Sequence, residues 1–307
     1  MMAQHQKRDP RAVLPVISLN TIAPPYLDYA YFQGRETYPF RPQATGFDLV
    51  NAWWLIEAST LAYAGEDFAR GKFQEAGFPE VAFFTGDSTQ CYVVSNDAFL
   101  ILVFRGTEIR KRAGQFGIHN IMADVEADAD ILLVDSGHGG KVHRGFQEAL
   151  DEIWEKKGLL QYLRGKETPG RPFWFTGHSL GAALATLAAA RYGRSQDLYT
   201  FGSPRVGDLD FKNGFPVKAY RFVNHRDIVT RVPPPGLYRH VGEEKYLDSQ
   251  GLLRDGEEEP EEIGSASGSL EIPHAGGLNV LIPEAVVDHV PTLYATHIWN
   301  NIPATRS

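Results

Sequence analysis

The spacing of apolar positions changes along the chain, and each change marks an element. Leu49, Val50, Trp53, Trp54, Ile56 and Leu61 recur at helical intervals between Phe47 and Ala64, which predicts a helix packed on a sheet. Residues 90–104 read instead as two strands joined by Ser95-Asn96-Asp97, a good turn sequence. The second of these strands is continuously apolar, as expected where both faces of a sheet are covered. Phe146, Ala149, Leu150, Ile153, Trp154 and Leu160 form a stripe that predicts one helix over 146–163. The runs 173–175, 198–202 and 217–223 read as further strands, and 182–192 as a slim, alanine-rich helix able to lie close to a sheet. Pro233-Pro234-Pro235 sets a stiff turn, and 236–253 predicts an edge hairpin. Residues 255–269 are acidic, then Gly/Ser-rich, and predict a solvated loop. Residues 1–45, rich in proline and aromatics, predict an arm over the body. Strand and helix alternate through the middle, so the expected fold class is α/β. A central, mostly parallel sheet carries helices on both faces, within a single domain spanning 1–307.

Composition narrows the function classes. The 307 residues are 43% hydrophobic and 22% charged, ordinary for a soluble globular protein. A net charge of −8 offers no basic field for phosphates and argues against a nucleic-acid partner. Cys91 is the only cysteine, which excludes an internal disulfide and a cysteine-ligated zinc site; its strand context predicts a buried structural thiol. No apolar run approaches the ~18 residues of a membrane span. Lys7, Arg8 and Arg11 precede only a short apolar patch broken by Pro15, so no secretory leader is predicted and the cytoplasm is favoured over secretion.

The candidate chemistry centres on Gly177-His178-Ser179-Leu180-Gly181, between a β-prone run and the alanine-rich helix. This is the G-x-S-x-G pattern in a strand–turn–helix setting, which holds a serine exposed on a tight turn at a helix N-terminus. A serine nucleophile needs a base, and the base needs a carboxylate to fix its tautomer. Counting strands onward from the serine leads to Asp227, with Asp208 as the alternative. Of the late histidines, His289 lies just before a C-terminal helix, where a loop can bring its imidazole to the serine. His297 lies inside that helix, His240 in a strand and His274 in a loop, so His289 is preferred. Asp288 is expected to project elsewhere, and His178 to serve packing or local hydrogen bonds. Developing charge on a carbonyl oxygen needs preformed donors. The backbone N–H of Leu180 is one, and Thr107, after the continuously apolar strand, is the other. Proton transfer and oxyanion binding suffice for this chemistry, so no cofactor and no metal are implied.

Phe104-Arg-Gly-Thr107, Val142-His-Arg-Gly-Phe146, Gly177–Gly181, Thr200-Phe-Gly-Ser-Pro-Arg-Val-Gly207, Asn224-His-Arg-Asp227 and Asp288-His289 with Tyr294 together resemble the class 3, or fungal-type, lipases. The resemblance implies an α/β-hydrolase fold, a Ser179–Asp227–His289 triad and an oxyanion hole at Thr107 and Leu180. It implies hydrolysis of acylglycerol or related carboxylic esters through an acyl-enzyme. A lid at 108–122, able to touch a lipid interface transiently, is implied as well. The runs around Gly145 and Gly202 read as scaffold, and Arg205 as a loop brace. The tryptophan common near the family's lid is absent, and the disulfides of secreted fungal members cannot form, which points to a bacterial or intracellular relative. A phospholipase or feruloyl-type esterase on the same fold is the alternative, with a serine peptidase more remote. A non-catalytic binding module would have lost a triad or oxyanion residue, and none is visibly lost. Oligomeric state stays open.

Overall fold

The computed structural model describes residues 17–18, 21–106, 132–255, 268–272 and 280–303. Twelve strands are described: β1 (Glu80–Thr85), β2 (Gln90–Ser95), β3 (Leu100–Phe104), β4 (Leu133–Asp135), β5 (Lys141–His143), β6 (Phe173–His178), β7 (Leu198–Phe201), β8 (Ala219–Asn224), β9 (Glu243–Leu247), β10 (Leu253–Asp255), β11 (Ser269–Ile272) and β12 (Val280–Pro283). Eight make one sheet in the order β1-β2-β3-β6-β7-β8-β9-β10. Its interior pairings, β3 with β6, β6 with β7, β7 with β8 and β8 with β9, are parallel. The pairings of β1, β2 and β10 are antiparallel. Strands β4 and β5 form a separate hairpin, as do β11 and β12. The carboxyl ends of the parallel strands are where such sheets place their ligands.

Each face of the sheet has its own core. On one, the helix Leu49–Leu61 and the C-terminal helix Pro291–Asn301 pack with arm residues Tyr31, Phe32 and Phe40 against Ile101, Trp174, Tyr199 and Phe222. On the other, Arg144–Trp154, Leu159–Gly165 and Leu180–Tyr192 pack against Leu100, Leu102, Phe173 and Phe175. The strand residues alternate between these two sets, and β3 and β6 are buried throughout, which explains their unbroken apolar runs.

The first helix begins where Asp48 accepts the Asn51 N–H at 3.0 Å. It is buried on nearly all sides. Its fully buried Glu57 accepts from Tyr29 Oη at 2.8 Å, Phe32 N at 2.9 Å and Trp53 Nε1 at 3.0 Å. Two of those donors come from the arm, so Glu57 fastens the arm to the body while satisfying its own buried oxygens.

The helix predicted over 146–163 is two helices. Glu155, Lys156 and Lys157 between them are exposed, and Gly158 takes a left-handed φ of 76° to restart the chain. The edge hairpin lies at β9–β10 rather than from Gly236, because Arg239 is drawn into a bridge with Gly207. The helix Glu66–Glu75 and strand β1 carry no clear sequence signal: Ala69 and Phe73 are the only fully buried residues of that helix. Most of the acidic loop, residues 256–267, lies outside the described residues.

Candidate active site

Ser179 stands between β6 and the helix Leu180–Tyr192 with φ 60° and ψ −132°, a conformation that side-chain-bearing residues rarely adopt. Two glycines make the turn possible. A Cβ at Gly177 would run into the Gly181 carbonyl, and one at Gly181 into the Phe104 carbonyl of β3. The turn is clamped by backbone bonds: Ser179 N donates to Phe201 O at 3.0 Å, and Ala182 N to Ser179 O at 2.9 Å. Leu180 opens the helix, so its N–H is among the first-turn amides that no intrahelical carbonyl accepts.

Strand β8 ends at Asn224, and the chain turns through His225 to Asp227, which caps the 3-10 turn Ile228–Arg231. The Asp227 carboxylate is fully buried. Its Oδ1 accepts from Val229 N at 2.9 Å, and its Oδ2 from Tyr294 Oη at 2.6 Å. The imidazole of His289 donates from Nδ1, 2.9 Å from Oδ1 and 2.8 Å from Oδ2. Three donors replace the water that burial removes, so the negative charge is held in place. Tyr294 Oη also accepts the Asn224 N–H at 3.0 Å, tying the C-terminal helix to the β8 turn.

With its Nδ1–H on the carboxylate, a neutral His289 ring keeps its lone pair on Nε2. That atom and Ser179 Oγ are both buried, and neither has a hydrogen-bond partner among the described residues. The Ser179–His289 hydrogen bond is therefore not made, a common state of catalytic pairs without substrate. The two residues are neighbours through their flanks. The rings of His178 and His289 lie 4.5 Å apart. A Cβ at Gly202, next to the Phe201 that holds Ser179, would come within 2.6 Å of Asp227 Oδ2 and 2.9 Å of His289 Nδ1. Gly202, read from sequence as scaffold, thus lets β7 pass directly beneath the carboxylate–imidazole pair.

The other candidates are engaged elsewhere. Asp208 caps a short helix, accepting from Phe211 N at 2.8 Å and Lys141 N at 3.0 Å. His297 is buried against Gly251, and burial holds its imidazole below the usual range. His240 Nε2 bonds Thr230 O at 2.7 Å. Asp288 points away from the pair: it accepts from Arg226 N at 3.1 Å, and burial pushes its carboxyl up to about 7. Thr107, His274 and the lid segment 108–122 lie outside the described residues. Cys91 is buried, and burial pushes its thiol well up.

Sequence reasoning did not assign Tyr63, whose hydroxyl lies 2.9 Å from His178 Nδ1. It gave Tyr294 no role of its own, although that hydroxyl grips Asp227. No local pattern flags either, since each reaches its partner across more than sixty residues of chain. Among the described residues no group of His, Cys, Asp or Glu is placed to hold a metal ion. No described helix is long and apolar enough to cross a membrane.

Residues 101–237 match the family Lipase (class 3). Over that segment the chain resembles the class 3 lipases. The chain is 40% identical over 124 residues to the secreted mono- and diacylglycerol lipase 1 of Fusarium solani, covering 38% of this chain and 37% of that one. It is 34% identical over 181 residues to a lipase of Rhizomucor miehei, covering 53% and 47%. The chain thus spans less than half the length of these curated relatives. A solved triacylglycerol lipase, whose catalytic centre is described as a serine protease triad, superposes with a TM-score of 0.50 at 25% identity, covering 66% of this chain and 82% of that one. The fold is that of the α/β-hydrolases, with its mostly parallel sheet between two layers of helices. One expectation is overturned. The preference for the cytoplasm does not stand, because the Fusarium solani relative is a secreted enzyme and the fungal lipases point outside the cell. A leader lies apart from the folded domain, so a weak apolar patch near the N-terminus says little about where that domain works.

Proposed function

We propose that this protein hydrolyses lipid carboxylic esters, acylglycerols first among them, through an acyl-enzyme on Ser179. The observation that carries this reading is the buried His289 imidazole, bonded to Asp227 through Nδ1 with its Nε2 unpartnered, beside a serine on a strained elbow. In the proposed reaction Ser179 Oγ bonds to the ester carbonyl carbon while its proton passes to His289 Nε2. Asp227 stabilises the resulting imidazolium and keeps the ring in register. The Leu180 N–H, with Thr107 as second donor, receives the charge on the carbonyl oxygen. The C–O bond to the alcohol then breaks, and His289 returns the proton to the departing oxygen. Water repeats the sequence on the acyl-serine, releasing the fatty acid. The names of the relatives support an acylglycerol substrate. The mixed apolar and basic segment 108–122 supports transient contact with a lipid surface.

The test is hydrolysis of a nitrophenyl ester series, an acylglycerol emulsion and phospholipid vesicles by the wild-type protein and by Ser179→Ala. Loss of turnover on the order of 10⁴ to 10⁶ is expected for the variant, with the fold intact. Retained turnover in Ser179→Ala would rule the assignment out, and preference for the vesicles would move the substrate to phospholipid. Contact of 108–122 with lipid predicts a rise in rate as a short-chain ester passes its solubility limit.

A further inference from the structure

We propose that His178 is a positioning residue for the base: a neutral imidazole, locked between Tyr63 and the main chain of His289, that holds His289 in line with the serine. The proposal rests on the reading of Ser179, Asp227 and His289 given above. His178 Nε2 lies 2.8 Å from the carbonyl oxygen of His289. A carbonyl only accepts, so Nε2 carries the hydrogen. On a neutral ring the Nδ1 lone pair is then left to accept, and it meets the Tyr63 hydroxyl at 2.9 Å. Both nitrogens are satisfied in one tautomer only, and the ring has no freedom to flip.

Three further observations assign this ring to the base. First, it packs on the His289 imidazole, with centroids 4.5 Å apart and planes 33° from parallel. It therefore fixes His289 at both the main chain and the ring face. Second, burial, then the nearby His289 charge, hold its pKa well below the usual histidine range, so it stays uncharged when His289 gains a proton. A second cation at that distance would oppose the proton transfer that Asp227 supports. Third, Tyr63 is fully buried, and burial raises its hydroxyl, so it remains a donor. Asp227 holds the Nδ1 edge of His289 and His178 holds its carbonyl. Neither touches Nε2, which leaves that nitrogen to the serine.

The experiment compares His178→Leu, His178→Gln and Tyr63→Phe with the wild type on a soluble nitrophenyl butyrate, alongside ¹⁵N imidazole NMR of the wild-type protein. A glutamine amide can donate to the His289 carbonyl and accept from Tyr63, whereas leucine does neither. His178→Leu should lower kcat about 10- to 100-fold with KM little changed, as a small displacement of a reacting group does. His178→Gln should recover most of that loss, and Tyr63→Phe should lie between. The NMR should show His178 as a neutral, Nε2-protonated ring from pH 5 to 8. Unchanged kcat in His178→Leu, a loss not recovered by glutamine, or a His178 ring that titrates or carries its proton on Nδ1 would overturn the proposal. If His178→Leu does not fold, the NMR and the glutamine variant decide. Were the wild type inert on every ester, the reading of the triad would fail; the NMR would still report the lock separately.

Discussion

The serine and the histidine of this site are held in place in opposite ways. The elbow is built from five consecutive residues. Its geometry follows from two glycines that admit no side chain and a strand that hands directly into a helix. The base loop is assembled from distant chain. His289 rests on Asp227 of the β8 turn and on His178 of the elbow, and its chain neighbours Val287 and Val290 are buried in an apolar cluster with arm residues Ile22 and Tyr26 and with Ile282 and Leu293. The nucleophile is set by the strained turn of one short run, backed by the main chain at Phe104 and Phe201, while the base that serves it is carried by long-range contacts. Damage to the first should be steric and abrupt; damage to the second should be graded.

The largest effect should come from removing the base. His289→Ala is expected to lower kcat for a soluble ester on the order of 10⁴ or more, whereas His297→Ala, on the neighbouring helix face, should change it little. The reverse ranking would move the base to His297. Gly202→Ala should come next. Its φ of 57° and its close approach to Asp227 and His289 leave no space for a methyl group. Turnover should fall steeply, with the melting temperature dropping by several degrees, as expected for a strained backbone site. Full activity in that variant would show that the base loop can yield where the elbow cannot.

Tyr294→Phe should be milder. It removes the 2.6 Å bond to Asp227 and leaves the Asn224 N–H without its acceptor, at a cost of about 1–3 kcal/mol in stability. The rate should fall about tenfold or less, since His289 keeps both its contacts with the carboxylate. The smallest effect belongs to Asp288. Its folded pKa of about 7 lies above the usual carboxylate value because of burial. The folded state therefore binds a proton more tightly than the unfolded chain, and stability should decline as pH rises from about 4 through 7. Asp288→Asn should flatten that decline and gain relative stability above pH 7, measured by thermal melts across the range. A variant whose melting curve follows the wild type at every pH would remove Asp288 from the account.

The same contrast explains what could be read from the sequence. The elbow was legible because its residue pattern lies within one short run, and strands β2, β3 and β6 to β8 because apolar residues cluster where both faces are covered. Asp227 and His289 were reached by counting strands and locating loops, and the structure brings these two together. Gly202, Tyr294 and Tyr63 were not given their places, because each acts on a partner supplied by another part of the chain. Gly158 hid the break in the 146–163 helix, since an apolar stripe on both sides of it keeps the helical period. The helix Glu66–Glu75 was missed for the opposite reason: it lies on the surface and buries too little to set a period.

The most direct test of the central claim is labelling with a fluorophosphonate, followed by peptide mass spectrometry, in the wild-type protein and in His289→Ala. The account predicts a single adduct on Ser179, formed rapidly in the wild type and at least a hundredfold more slowly without the imidazole. An adduct on another residue, or equal labelling rates in the two proteins, would contradict it.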